Sequence, residues 1–160
     1  MADPAPLRVE RDDLRRDQSR ALVAAHLAGM HRDSPPDAVF ALPVDALLAP
    51  DIRIWSAWRG DRIAGIGALR VLSDHAGEVK CMRTHADFLR QGVAAAILDR
   101  IVAEARAAGL KRLSLETGNG LAFQPALSLY RTKGFRDGAP FADYVENGHS
   151  VFLHRDLVGA

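Results

Sequence analysis

A turn of six residues, Leu89 to Ala94, is the clearest candidate ligand site in this sequence, and an amphipathic helix follows it at once. A helix N-terminus carries unpaired amide groups and a partial positive charge. Gly92 lets a ligand approach the backbone, Ala94 leaves room in the first helical turn, and Arg90 adds a positive charge. The turn therefore predicts a phosphate-bearing ligand held mostly through backbone N–H groups. The same local pattern also suits an ordinary helix start with a solvated Arg90.

Other nucleotide and metal signatures are missing from the sequence. Gly65 and Gly67 lie in the middle of a predicted strand, and Arg70 stands where a dinucleotide fingerprint needs a third glycine. A bulge or close packing explains that glycine pair better. Cys81 is the one cysteine, which excludes an intrachain disulfide, and we interpret it as a small buried apolar residue. The six histidines have no metal-ligand spacing, so we predict no metal.

The elements that position this turn are readable from periodicity. Strand patterns cover 7–10, 52–58, 62–72, 78–84, 110–116 and 149–157, and a short strand or turn starts at Phe135. Helices are predicted at about 14–30, after a cap by Asp12 or Asp13, and at about 125–133, in addition to the long one after Gly92. A short helix is predicted in PVDALLAP. Strands 52–84 should form an antiparallel meander, and strand–helix–strand order then implies a parallel pair. The two tryptophans, Trp55 and Trp58, have opposite parity, so at most one should face the core.

Length and composition limit the classes of protein to which this chain can belong. A chain of 160 residues suits a single domain, 1–160, with its core at about 7–157. The net charge of +1 gives no field that favours nucleic acid, and we predict no nucleic-acid partner. No apolar run is long enough for a membrane span, and the first residues lack the apolar core of a signal peptide. We therefore expect a cytoplasmic protein with no membrane partner.

The order of these features resembles the GNAT superfamily of acyl-CoA N-acyltransferases. The likeness runs from about residue 7 to 157 and is strongest from Gly77 to Phe135. Within it, LRQGVA, LSLETG, LYRTKGF and PFADY are similar to a small bacterial subgroup described as acetyltransferases. The superfamily signature is Gln or Arg, two residues, Gly, any residue, then Gly or Ala. Gly92, Val93 and Ala94 match its second half, whereas Leu89 departs from the first position.

The resemblance implies a fold and a set of acetyl-CoA contacts. The fold is α/β (α+β): one mixed, mostly antiparallel sheet of about six or seven strands, helices on both faces, and a splayed parallel strand pair. The pantetheine arm would lie in that gap, against the backbone of the earlier strand, and the pyrophosphate would lie on the turn. Asn119 stands where a polar side chain often touches pantetheine, although a turn or cap residue is an equal interpretation. The expected cofactor-binding residues are Cys81, Met82, Arg83, Thr84, Leu89, Arg90, Gln91, Gly92, Val93, Ala94 and Asn119.

The implied reaction is direct attack of an amine on an activated thioester, with much of the rate from positioning. A backbone N–H near Met82 or Arg83 would stabilise the oxyanion. Tyr130 stands where the family often places the acid for the leaving thiolate; a packed tyrosine is the alternative. Glu116 and Glu78 are candidate bases, and each is otherwise a solvated or salt-bridged carboxylate.

The acceptor is the part that the sequence leaves open. Phe141, Tyr144 and His149 are predicted to line its pocket, or else to belong to a surface loop with an aromatic clasp. We predict a small-molecule or amino-acid-like primary amine. A non-catalytic acyl-CoA-binding sensor and a protein or peptide N-acetyltransferase are the alternatives. The oligomeric state is also open, although homodimers are common in such families.

Overall fold

The structure is a computed structural model that describes residues 5–158. Its centre is a seven-stranded sheet in the order β1-β2-β3-β4-β5-β7-β6. The strands are β1 Leu7–Asp12, β2 Ile52–Arg59, β3 Arg62–Val71, β4 Ala76–Thr84, β5 Arg112–Gly118, β6 Arg136–Asp137 and β7 Ser150–Asp156. The four α-helices described are α1 Asp17–Asp33, α2 Val44–Leu47, α3 Val93–Ala107 and α4 Gln124–Thr132. The single domain 1–160 stays a prediction, and residues 1–4 and 159–160 lie outside the described part.

The sheet is mostly antiparallel, with one parallel pair. Strands β2, β3 and β4 form the predicted antiparallel meander. The crossover through α3 makes β4 and β5 parallel neighbours, while β5 pairs antiparallel with β7. The fold class is therefore confirmed, including the parallel pair that the order strand–helix–strand predicted.

Both faces of the sheet are covered, and each has its own apolar core. Helices α1 and α2 pack on one face, against residues such as Ile54 and Ile66. Helices α3 and α4 pack on the other face, against residues such as Leu69 and Leu115. The expectation that at most one tryptophan faces the core is wrong for this reason. Trp55 is buried in the core between the sheet and α3, which we call the α3 core. Trp58 is buried in the core between the sheet and α1, the α1 core, on the opposite side of β2.

Helix α1 begins three residues later than predicted, and Asp12 is the cause. Its Oδ1 accepts a hydrogen bond from the Leu14 amide at 2.7 Å, so the carboxylate holds a turn that precedes the helix. Leu14 has a left-handed backbone with φ of 59°, which no helical residue adopts. The helix therefore starts at Asp17 after Arg16, whose side chain gives no cap hydrogen bond.

The glycine pair in β3 serves close packing, as predicted. A Cβ on Gly65 would meet the side chain of Val93, and one on Gly67 would meet Ile97, both within 2.6 Å. Helix α3 therefore lies closer to the sheet than any side chain at these positions would permit. Among residues 5–158, no helix is long and apolar enough to cross a membrane. The same residues contain no cluster of His, Cys, Asp and Glu suited to a metal.

Candidate functional site

The two parallel strands separate after a short paired segment. Only Ala76–Glu78 of β4 pairs with Arg112–Ser114 of β5. Beyond Glu78 the strands diverge, and a cavity of about 150 Å³ opens between them. Strand, helix and loop residues contribute to its walls, including Glu78, Met82, Arg83, Glu116 and Tyr130. This divergence creates a cleft within the sheet that a narrow ligand can enter.

A β-bulge interrupts β4 beside this cleft. Ala68 pairs with Lys80 and Ile66 with Arg83, so Gly67 stands opposite two residues, Cys81 and Met82. Cys81 takes the left-handed φ of 56° that the extra residue requires. A bulge removes local backbone groups from the ladder and redirects the side chains that follow it. It therefore lies at the position where the sequence predicted a free N–H for an oxyanion, near Met82 and Arg83.

The turn before α3 is bent by two left-handed residues. Arg90 has φ of 62° and Gly92, the N-cap, has φ of 80°. Within the described residues no side chain caps α3, and its first turn contains no acidic residue. A Cβ on Gly92 would meet nothing within 4 Å, so the space above the turn is open. Leu89 is 57% exposed there, and Gln91 accepts a hydrogen bond from Arg59. The turn has the exposed amides that an anion needs.

Tyr130 reaches the cleft from α4. The residue is buried, and its ring packs edge-on against Phe135 at 5.9 Å between centroids. Burial raises the pKa of its phenol, so the hydroxyl stays protonated at any working pH. The hydroxyl has no hydrogen bond to another residue in the described part of the chain. A neutral donor without a partner is therefore available in the cavity wall.

Glu116 lies on β5 after the strands have separated. Its Oε2 accepts a hydrogen bond from the Ser150 hydroxyl at 2.7 Å. Burial raises the pKa of this carboxyl and the nearby Glu78 charge raises it further, whereas Ser150 and Lys80 lower it. A carboxylate held at a raised pKa with few partners has the properties of a general base.

Glu78 is more fully engaged than Glu116. Its Oε2 accepts a hydrogen bond from the Tyr144 hydroxyl at 2.5 Å and lies 3.3 Å from Lys80 Nζ. Lys80 Nζ also donates to the Tyr144 hydroxyl at 2.9 Å. Glu78 and the side chain of Lys80 are both largely buried. The three side chains form a closed polar cluster at the narrow end of the cleft.

Two of the three predicted acceptor residues come together. The rings of Phe141 and Tyr144 are 4.9 Å apart, and Tyr144 also packs edge-on against Phe40 at 5.2 Å. His149 is exposed, and the structure does not bring it to this group. Asn119 is exposed as well, and its amide donates to the Gly148 carbonyl at 2.9 Å, which is a loop contact.

Two further cavity residues escaped the sequence reasoning. His26 of α1 lines the cavity, and its buried Nδ1 has no partner among the described residues. Burial lowers the pKa of this imidazole to about 4, so it is neutral. The Arg83 side chain lies in the same wall, although only its backbone was considered before. A weak signal existed, since Leu22, His26 and Met30 recur every four residues along α1.

Cys81 is as inert as its interpretation as a buried apolar residue implies. It belongs to the α1 core. Burial raises the pKa of its thiol to about 12, although Arg83 and Lys80 oppose the shift. A thiol that stays protonated is a poor nucleophile.

Comparisons with known proteins agree with this geometry. The family model "Acetyltransferase (GNAT) family" matches residues 11–135. The chain is 46% identical over 151 residues to the Bacillus subtilis protein "Uncharacterized N-acetyltransferase YsnE", covering 94% of this chain and 100% of that protein. It is 47% identical over 149 residues to "Uncharacterized N-acetyltransferase YedL" of Escherichia coli, covering 93% and 94%.

A solved structure shares the fold. It is a GNAT family acetyltransferase from Elizabethkingia anophelis with acetyl-CoA bound, with a TM-score of 0.70 and 18% identity. The match covers 94% of this chain and 98% of that one.

Proposed function

Because the chain belongs to the Acetyltransferase (GNAT) family, we propose that it transfers an acetyl group from acetyl-CoA to the primary amine of a small-molecule or amino-acid-like acceptor. The observation that carries this proposal is the separation of β4 from β5 after Glu78, with a bulge on one edge and Tyr130 and Glu116 in the same cavity. The acetyl-CoA bound to the Elizabethkingia anophelis protein supports the choice of cofactor.

In this proposal acetyl-CoA lies across the turn and into the cleft. The pyrophosphate binds the amides of residues 90–94, where the positive end of α3 is uncapped. Leu89 offers no polar contact, so Arg90 and the backbone supply the attraction. The pantetheine arm follows the open edge of β4 along Cys81, Met82, Arg83 and Thr84. Asn119 stays a predicted pantetheine contact.

The chemical step then needs three groups of this chain. The neutral amine attacks the thioester carbon, a C–N bond forms, and the carbonyl oxygen becomes an oxyanion beside the bulge at Met82. The C–S bond breaks, and the leaving thiolate takes a proton from the Tyr130 hydroxyl. The proton lost by the amine goes to a carboxylate, directly or through water. Cys81 has no part in this, because its thiol remains protonated.

Of the two candidate bases, the hydrogen bonding favours Glu116. Glu78 already accepts from Tyr144 and faces the Lys80 ammonium, so removing a further proton from an amine competes with these partners. Glu116 has the single Ser150 bond and a raised pKa, which bring it closer to the proton affinity that a base requires. Glu78 then holds Lys80 and Tyr144 in place.

The cavity volume limits the part of the acceptor that can enter beside the thioester, which is compatible with a small acceptor. About 150 Å³ is room for a few non-hydrogen atoms beside the thioester. Phe40 lines the cavity, Tyr144 packs on Phe40, and Phe141 packs on Tyr144, so these two predicted acceptor residues lie just behind the cavity wall. His149, exposed as it is, would contact only a larger acceptor.

Thermal unfolding with acetyl-CoA tests the proposal first. A ligand at about 100 times its dissociation constant stabilises a protein by about 2.7 kcal/mol, and NAD at the same concentration serves as the ligand control. Gly92→Ala should abolish most of the acetyl-CoA shift. Gly109→Ala is the matched control, because Gly109 has φ of 82° at the other end of α3 and equally open surroundings. Equal loss in both variants, or no wild-type shift at millimolar acetyl-CoA, would contradict the binding site.

Thiol release from acetyl-CoA across an amine panel then separates an enzyme from a sensor. Turnover with at least one amine supports the transferase. Binding of acetyl-CoA without thiol release for any amine supports the alternative, a non-catalytic acyl-CoA-binding module.

A further inference from the structure

One wall of the cavity contains an arginine that forms no ion pair within 4 Å with a carboxylate of the described residues. Arg83 is half-buried on β4, just past the bulge. Its Nη2 donates one hydrogen bond, to the His26 carbonyl at 3.2 Å, and its buried Nε has no partner within residues 5–158. None of the ion pairs within 4 Å in that part of the chain includes Arg83. A guanidinium has five N–H donors, so most of this one's hydrogen-bonding capacity is unused.

The other ionisable groups near Arg83 are either paired with another residue or neutral. Asp33 of α1 lines the same cavity and acts on Arg83, but that carboxylate is bridged to Arg32 at 3.5 Å. The ammonium of Lys80 is paired with Glu78. The facing groups on α1 and β4, the His26 imidazole and the Cys81 thiol, are both neutral. Burial and the Arg32 charge lower the pKa of Arg83, and the Asp33 carboxylate only partly offsets them, so this cation is partly desolvated and incompletely compensated.

The cavity therefore has two unpaired charged groups of opposite sign. Glu116 lies across from the middle of β4, since Glu78 and Ser114 are paired and Glu116 is two residues further along β5. Arg83 is three residues beyond Lys80 on β4. At about 3.3 Å per strand residue, the two groups are separated by roughly 10 Å along the strands. The bulge, where the proposed oxyanion forms, lies between them.

We propose that the acetyl acceptor is an amine that also carries a carboxylate, and that Arg83 binds that carboxylate while the amine faces Glu116. The proposal rests on the acetyltransferase function proposed above. A planar guanidinium pairs with a carboxylate through two parallel N–H···O bonds, which a lysine cannot reproduce. Arg83 lies on the α1 face of β4, whereas the turn for pyrophosphate precedes α3 on the other face. Its partner is accordingly the acceptor and not the diphosphate of acetyl-CoA.

The experiment compares amino carboxylic acids with their own carboxamides. Each pair has the same amine and chain length, so the ratio of the two kcat/KM values reports the carboxylate alone. For the best acid we expect a wild-type ratio on the order of 100. Arg83→Met should reduce the ratio to about 1. Arg83→Lys should give an intermediate value, because the positive charge remains but the two parallel hydrogen bonds of the guanidinium are lost. Arg106→Met is the control: it removes an exposed arginine from the last turn of α3, on the other face of the sheet, and should leave the ratio within about threefold of wild type.

Several outcomes would overturn the proposal. They are a wild-type ratio near 1, a ratio that persists in Arg83→Met, and an equal loss in Arg106→Met. Loss of the acetyl-CoA thermal shift in Arg83→Met and Arg83→Lys would instead assign the arginine to the cofactor. If no amine is acetylated, the proposed function fails separately, and thermal shifts by the acids and amides in the presence of CoA still test the carboxylate site. A shift by acids alone that Arg83→Met removes supports it, and equal shifts refute it.

Discussion

Two carboxylates of this protein, the buried Asp12 and the half-buried Glu116, have opposite surroundings. Asp12 accepts four hydrogen bonds, from the Leu14 amide, the Ser19 and Ser56 hydroxyls and Arg16. Glu116 accepts one, from Ser150. Burial raises the pKa of both groups, but at Asp12 the four partners prevail and the pKa is lowered, whereas at Glu116 burial prevails and the pKa is raised.

This difference in hydrogen bonding is the reason we assign a structural role to Asp12 and propose a catalytic role for Glu116. Asp12 joins the end of β1 to α1 and β2, and its lone pairs are used in that task. Glu116 lies in the cleft, where the separation of the strands has removed the groups that would otherwise surround it. A buried charge that the fold leaves poorly satisfied costs stability and gains reactivity. Substitutions should therefore affect stability at one site and turnover at the other.

The largest effect is expected from Glu116→Gln. The amide oxygen keeps the Ser150 bond, so the fold is retained, but the base is lost and kcat/KM should fall about 1000-fold. The pH–rate profile should also lose its ascending limb. Glu104→Gln, which removes a half-exposed carboxylate of α3 that is paired with Arg100, is the control. Turnover within tenfold of wild type, with an unchanged profile, would remove Glu116 from the mechanism.

Asp12→Asn should show the reverse pattern. Its amide nitrogen cannot accept from the donors that converge on this position, and Arg16 loses a buried partner. We expect a loss of about 3 kcal/mol in the free energy of unfolding, measured by urea denaturation. The fraction that remains folded should keep wild-type kcat. A change in kcat without a change in stability would contradict the contrast.

Glu78→Gln tests the intermediate case. Glu78 is buried like Asp12 but lines the cavity like Glu116. The substitution leaves the Lys80 ammonium without its ion pair, and we expect a stability loss of about 2 kcal/mol with turnover within tenfold of wild type. If turnover is abolished here and retained in Glu116→Gln, the two carboxylates exchange roles.

Tyr130→Phe extends the contrast to hydroxyl groups. The Ser19 and Ser56 hydroxyls are committed to Asp12, whereas the Tyr130 hydroxyl has no partner within residues 5–158. Removal should lower kcat about tenfold, because the thiolate loses its proton donor, and should leave the acetyl-CoA thermal shift intact. Unchanged turnover would reduce Tyr130 to a packing residue.

The smallest effect is the pH dependence of stability, and the two carboxylates should give opposite signs. The folded pKa of Asp12 is lowered, so its stabilisation is present above the unfolded pKa and is lost as the pH falls through the folded value. The folded pKa of Glu116 is raised, so stability is greatest below the unfolded pKa and is lost as the pH rises to the folded value. Unfolding curves between pH 3 and 8 should show each slope vanish in the matching Asn or Gln variant. Slopes of the same sign would contradict the assignment.

The elements were largely predictable from the sequence, because periodicity and turn residues are local. The meander, the long helix after Gly92 and the parallel pair follow from alternation, from 3.6-residue spacing and from chain order. The start of α1 was missed because Asp12 holds a turn at Leu14 instead of capping the helix, and a distant residue also fixes the Asp12 carboxylate. Asp12 is held by Ser56, 44 residues away, and the local cap pattern could not reveal that partner.

The candidate site also has a local part that the sequence predicted and a part made by distant residues that it did not. The residues of the turn, Leu89 to Ala94, form a local motif, and the sequence by itself determined their place before α3 and the left-handed glycine at Gly92. Only the tertiary structure decided which acids are satisfied, that Arg83 and His26 face the cavity, and that His149 does not. These outcomes depend on strands that separate and on loops that pack from distant parts of the chain. Burial and hydrogen bonding are properties of the assembled surroundings, whereas residue type and spacing are properties of the chain.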